Sequence, residues 1–302
     1  GCSSTSEVLA GKMFDVPVSG THAHSWVMSF ESELEAFRAY AKMYPDKCML
    51  LVDTYDTLKS GVPNAIKVFR ELRESGHEPV GVRLDSGDLA YLSRETRKML
   101  DEAGFPDAII CASGHLDEDV LQSLRSQNAK INTYGIGTKL ITSADCPSLG
   151  GVYKLAAIEG DDGKLEPKLK MSDTPAKITN PGFKKIVRIY DKKTDKALAD
   201  LIALREENFD GLDRLEIFDP YFTWKRKTIT DFYVRQLDVP VILGGKTVYE
   251  SPSVKEIAAY HKKSLGSFWN EYKRLLNPHI YKVDLSLELY NLKQRLLNAN
   301  RG

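Results

Sequence analysis

Cysteine is scarce: Cys2, Cys48, Cys111 and Cys146 are the 4 in a chain of 302 residues. They stand far apart with no C-x-x-C pair, so neither a zinc site nor a dithiol motif is suggested. Reduced thiols in a cytoplasmic protein are the simplest reading. Any excess of one charge is missing too. Lys+Arg and Asp+Glu both number 42, so no basic field advertises a nucleic acid or an anionic membrane. No apolar run is long enough to cross a bilayer, and no secretory pattern opens the chain. Internal repeats and low-complexity stretches are lacking as well. What is left is a globular chain with a core big enough to need no staples, in which any charge chemistry is local.

What is present begins with an alternation. From residue 14 to about 140, short β-branched or apolar runs are each followed by a polar cluster and then a helical period. The runs are FDVPVSG, KCMLLVD, EPVGVRLD, DAIICASG and AKINTYGIG. Between them, Leu34, Phe37, Ala41 and Tyr44 make one helix face, and Ala65, Phe69 and Leu72 another behind Pro63, with Gly76 as its stop. Leu89, Leu92, Thr96, Met99 and Leu100 precede Gly104, and Val120, Leu121 and Leu124 follow a cap at Asp117. Such alternation predicts parallel strands with crossover helices. An open sheet gathers ligand contacts mainly at its switch point, whereas a barrel gathers them from nearly every strand end. Here GTHAH, DTYDT, RLDSGD, SGHLDE and GIGT each follow a strand, which favours the barrel.

After Gly150 the texture changes to strands joined by charged turns such as DDGK and DKKTD, expected to finish the barrel and add antiparallel sheet. From Ser253 onward two amphipathic stretches predict closing helices. The expected organisation is a catalytic β/α barrel region over 1–160, barrel completion and sheet over 161–250, and a helical region over 251–302.

Several strand ends carry residue types suited to an anionic ligand. Arg83, at the end of a strand, needs a planar anionic partner, and a ligand carboxylate or phosphate fits as well as an internal aspartate. The same stretch also reads as an ordinary helix start, with Asp85 or Ser86 as the cap and Asp88 in the first turn. Gly135 and Gly137 with Thr138, and Ser113 with Gly114, form two small loops able to cradle phosphate, although most such loops are only tight turns. His22 and His24 in GTHAH point the same way on a strand end, so a metal pair is one reading, short of further histidine ligands. The other makes one of them a nucleophile or acid-base group, oriented by Asp53 from the neighbouring strand end.

At these residues the chain resembles the nicotinate phosphoribosyltransferases in their bacterial form, among the type II phosphoribosyltransferases. The stretches SSTSEVLAGK, GTHAHSWVMSF, LLVDTYDTLKSGVPNAI, GVRLDSGDLAYLS, INTYGIGTKL, PSLGGVYKLAAIEG and PAKITNPGFKK match in order and with similar spacing. The resemblance implies an irregular β/α barrel with an adjoining mixed sheet region and C-terminal helices. It implies transfer of phosphoribosyl from 5-phosphoribosyl 1-pyrophosphate to nicotinate, giving nicotinate mononucleotide and pyrophosphate, with Mg2+ and with ATP hydrolysed through a phosphohistidine. By the same resemblance His24 carries the phosphate and Thr21 lies beside nicotinate. Arg83 pairs with its carboxylate, Asp85 faces the ribose, and Asp53 orients His24. Ser113, Gly114, Gly135, Gly137 and Thr138 hold phosphate, and Ser6 favours the acid over the amide. No protein-bound metal ligand set and no role for His22 is implied.

The expected setting is a cytoplasmic homodimer that engages nicotinate, phosphoribosyl pyrophosphate and ATP but neither nucleic acid nor membrane. The chain opens on Gly1-Cys2-Ser3-Ser4, without an initiator Met, and the resemblance leads us to expect a portion ahead of it. A nicotinamide- or quinolinate-using relative and an H-x-H metal-dependent hydrolase stand as alternatives.

Overall fold

A computed structural model describes residues 1–299 of the chain, the side chain of Ala176 apart. The chain divides into two compact units. One holds Ser4–Gly11 and Pro17–Gly150, the other Gly1–Ser3, Lys12–Val16 and the chain from Gly151 onward.

In the unit containing Pro17–Gly150, the elements run α1 (Val8–Phe14, begun here), α2 (His24–Met28), α3 (Glu33–Met43), β1 (Met49–Leu51), α4 (Val62–Glu74), β2 (Gly81–Leu84), α5 (Leu89–Glu102), β3 (Ile109–Ala112), α6 (Glu118–Ser126), β4 (Thr133–Tyr134) and α7 (Thr138–Ile141). The four strands are parallel and lie side by side in sequence order, β1-β2-β3-β4. That unbroken order is the arc of a β/α barrel; a doubly wound sheet would reverse it at a switch point.

Register and the two-residue period sort the side chains. Leu50, Val82 and Ile110 stand opposite one another across the sheet and are fully buried with Phe37, Phe69 and Leu100 from α3, α4 and α5. The next row, Leu51, Arg83, Cys111 and Thr133, therefore projects from the other face. Arg83 is thus on the side of the sheet away from the helices. Sequence-encoded caps hold the helix starts: Ser32, Asp88 and Asp117 accept the amides of Glu35, Tyr91 and Val120.

One expected strand did not form. FDVPVSG contributes only a bridge between Val18 and Thr5, because Pro17 has no amide to give a ladder.

The second unit is built on a mixed sheet. After the pair β5 (Ala157–Glu159) and β6 (Leu165–Pro167) come β7 (Lys184–Asp191), β8 (Ala197–Leu204), β9 (Arg214–Phe218), β10 (Arg226–Thr230), β11 (Phe232–Gln236), β12 (Ile242–Leu243) and β13 (Lys246–Thr247). Then follow α8 (Val254–Gly266), β14 (Val283–Leu285) and α9 (Leu287–Ala299). The main sheet runs β11-β7-β8-β14, antiparallel except where β14 joins β8 in parallel. Val187, Ile189, Ala199, Leu201, Ile217, Ile229 and Phe232 form its core. Helix α9 buries Leu289 against this sheet region. Helix α8, expected to close the structure, buries none of its residues.

Candidate active site

The carboxyl ends of β1, β2 and β3 bring four of the expected residues into one bonded cluster. Arg83 donates from Nε to the Ser113 hydroxyl at 2.8 Å and from Nη2 to Asp85 Oδ1 at 2.7 Å. The Ser113 hydroxyl in turn donates to the same Asp85 oxygen. Gly114 makes this crossing possible. It sits at φ +94°, and a Cβ there would lie 2.2 Å from the carbonyl oxygen of Asp85, so only glycine lets the two loops touch.

Burial works against the charge on Asp85, but the hydrogen bonds from Ser113 and Arg83 and the positive charge of Arg83 outweigh it. Its carboxyl is held below the usual range. Asp85 is therefore an anion at neutral pH, gripped through Oδ1 and open through Oδ2.

His24 opens α2 and faces that free oxygen. Its Nε2 lies 3.8 Å from Asp85 Oδ2, with 40% of the side chain exposed. That distance is too long for a hydrogen bond. Its Nδ1 is 3.1 Å from the hydroxyl of Thr54.

Asp53 does not orient His24, contrary to the sequence expectation. Its Oδ2 accepts the Asp85 amide at 2.9 Å and the Ser86 hydroxyl at 2.6 Å. Both residues lie beyond Leu51, where β1 ends, and the bend that follows brings Thr54 rather than Asp53 to the imidazole. Thr54 was missed because a carboxylate is the more familiar partner of a histidine, and no periodic signal extends past the end of β1 at Leu51. Asp53 Oδ1 is buried with no hydrogen-bond partner among the described residues.

His22 is a core residue. It is 7% exposed, and its Nε2 accepts the Leu51 amide at 3.2 Å. Burial, reinforced by the charges of Arg83 and His24 and opposed by the Ala23 carbonyl, pushes its pKa down to about 4. The H-x-H metal pair fails on this geometry, since the His22 lone pair is spent on backbone.

Other expected residues divide. The Gly135 amide is not available to phosphate because it donates to the Ala112 carbonyl at 2.8 Å. Lack of a side chain there instead lets the backbone approach Ser113, whose Cβ would stand 3.2 Å from a Cβ at 135. The amides of Gly114 and Gly137 donate to no protein acceptor among the described residues. Thr138 begins the short α7. The Thr21 hydroxyl donates to the Met49 carbonyl. Ser6 is exposed, next to the Thr5 that pairs with Val18. Among the described residues, none of Thr21, Ser6, Gly137 or Thr138 is hydrogen-bonded to His24, Arg83, Asp85 or Ser113.

Comparison with known proteins places this geometry in context. The family model described as nicotinate phosphoribosyltransferase C-terminal domain matches residues 183–293. A nicotinate phosphoribosyltransferase of Bacillus subtilis (strain 168) is 46% identical over 298 residues, covering 99% of this chain and 60% of the relative. The crystal structure of human nicotinic acid phosphoribosyltransferase superposes with a TM-score of 0.78 at 29% identity, covering 98% of this chain and 65% of that one. A nicotinate-nucleotide pyrophosphorylase structure from Pyrococcus furiosus shares the fold, with a TM-score of 0.59 at 20% identity over 88% of this chain and 59% of that one. The chain thus spans about three fifths of the length of the curated relatives it matches.

Proposed function

We propose, on the premise that this chain belongs to the nicotinate phosphoribosyltransferase family, that it supplies the His24 and Arg83–Asp85 machinery of a phosphoribosyl transfer to nicotinate. The observation carrying this reading is the bonded cluster at three successive strand ends, with an ionised Asp85 between Arg83 and His24.

In the transfer, the bond from ribose C1 to pyrophosphate breaks with its electron pair leaving on oxygen. The nicotinate ring nitrogen then donates its lone pair to C1. Positive charge grows on the ribose in between, and the Asp85 carboxylate offsets it electrostatically. Arg83 spends Nε and Nη2 within the protein, which leaves Nη1 to pair with the nicotinate carboxylate and aim the ring. The free amides of Gly114 and Gly137, with Thr138, receive phosphate oxygens. Ser6, carrying no charge, leaves the acid unopposed where a carboxylate would repel it.

ATP enters through His24. The imidazole Nε2 lone pair forms a bond to the γ-phosphorus as the bond to the ADP oxygen breaks, and Nδ1 keeps its proton against the Thr54 hydroxyl. Mg2+ would neutralise the charge on the departing pyrophosphate. Hard oxygen donors suit it, and those of this chain at the site are Asp85 and the unpartnered Oδ1 of Asp53.

The setting in this proposal is a cytoplasmic homodimer. Exposed apolar side chains at Ile141, Leu149, Val152 and Tyr153 support association. No helix among the described residues is long and apolar enough to cross a membrane.

Labelling with ATP carrying a marked γ-phosphate tests the role of His24. The expected result is an acid-labile label that His24→Ala abolishes while a residue of ATP-independent transfer survives. Undiminished labelling of His24→Ala would overturn the assignment.

A further inference from the structure

In the unit built on the mixed sheet, two lysines converge on a single asparagine. Lys184, at the start of β7, donates to the carbonyls of Asn180 and Gly182 at 2.7 and 2.6 Å. Lys293, on α9, donates to Asn180 Oδ1 at 2.8 Å, with the Ile178 carbonyl at 3.5 Å. Neither ammonium has a carboxylate within ion-pair distance among the described residues, although many other lysines and arginines of the chain do.

The loop between them is fixed. Gly182 adopts φ +83°, and a Cβ there would meet Leu204 at 2.9 Å and Leu292 at 3.4 Å, so the backbone is pressed between β8 and α9. Pro181 and Gly182 are buried.

The donors outnumber their acceptors. Each ammonium has three N–H groups and two protein acceptors, leaving one to spend. The Asn180 side-chain amide donates to no protein group among the described residues, and the Thr179 hydroxyl accepts the Lys170 amide at 2.9 Å without donating. Five unspent donor hydrogens, two of them on ammonium groups, thus line one loop, with no anion among the described residues to balance them.

We propose that Lys184, Lys293, Asn180 and Thr179 form an anion site that takes a phosphate group. Charge-assisted hydrogen bonds from ammonium groups to a multiply charged oxyanion are the strong class of hydrogen bond. Burial lowers the pKa of both ammoniums, and among the described lysines only these two are so affected. A bound anion reverses that effect by favouring the charged form. The site uses none of the residues assigned to phosphate around His24 and stands whether or not the transferase reading holds.

Residue-resolved acylation of the unmodified chain by an amine-reactive ester tests this. Inorganic phosphate should slow labelling of Lys184 and Lys293 about threefold at twice its Kd, leaving the exposed Lys262 unchanged. Parallel arms with pyrophosphate and with adenosine monophosphate separate a free oxyanion from a nucleotide phosphate: protection confined to the inorganic anions identifies the former, and stronger protection by the nucleotide the latter. In a Lys293→Met variant the protection of Lys184 should be lost. Absence of protection from all three anions, or equal protection from chloride at matched ionic strength, overturns the site.

Discussion

Asp53 holds Asp85 by its backbone: the carboxylate at the end of β1 accepts the Asp85 amide at 2.9 Å and the Ser86 hydroxyl at 2.6 Å. It thereby sets the position of the anion that faces His24. Asp53→Asn, which exchanges an ionic acceptor for a weaker one at a site where a misplacement of about 1 Å costs about 100-fold, should lower kcat by up to that factor. Phosphorylation of His24 by ATP should persist, because Asp53 does not touch the imidazole. Steady-state kinetics beside phosphoenzyme labelling would check this; loss of labelling in step with kcat would return Asp53 to the role of histidine partner.

Thr54 takes that role in this account. Removing its hydroxyl in Thr54→Val forfeits one hydrogen bond to Nδ1, about 1 kcal/mol or somewhat under tenfold in the rate of phosphoenzyme formation. Thr54→Ser should restore the rate. A rapid-quench measurement in which valine and serine behave alike would contradict it.

Close packing of loops predicts a stability effect at Gly114. Gly114→Ala places a Cβ 2.2 Å from the Asp85 carbonyl oxygen and holds alanine at a positive φ. The cost should be about 3 kcal/mol, read as a lowered midpoint of urea unfolding with an unchanged m-value. Alanine at Gly137, where nothing lies within 4 Å of the added carbon, should shift the midpoint far less.

His22 makes stability depend on pH. Its folded pKa of about 4 lies below the ordinary value of 6.5, so between those values the unfolded chain binds more protons than the folded one. The stabilisation is full above pH 6.5 and falls as pH drops toward 4, by about 3 kcal/mol in all. His22→Gln, which keeps an acceptor for the Leu51 amide without titrating, should flatten that part of the curve. Identical slopes for the two proteins in denaturation at pH 4.5, 5.5 and 6.5 would contradict the assignment.

The barrel arc was legible because its determinants are local. The capping residue Asp117, Pro63 near the start of α4 and the apolar rows of α3 to α5 all lie within a few residues of what they control, whereas the cap of α5 is Asp88 and not the expected Asp85 or Ser86. Arg83, Asp85 and Ser113 were legible as strand-end residues for the same reason. Pairing between distant segments was not. The parallel match of Val283 to Asp200 joins residues with no common sequence signal, and the hydrophobic period of α8 says nothing about whether a partner covers it. Within the site, the sequence placed Asp53 near the histidines, but which of Asp53 and Thr54 met the ring depended on where β1 ends.

The most direct test of the proposed transfer is pyrophosphate release from phosphoribosyl pyrophosphate with Mg2+ and ATP. It compares nicotinate with nicotinamide and quinolinate, on the chain carried within a polypeptide of its relatives' full length. Release should depend on nicotinate and fall to background with the other two bases. Release with nicotinamide or quinolinate at the nicotinate rate, or none with nicotinate, would contradict it.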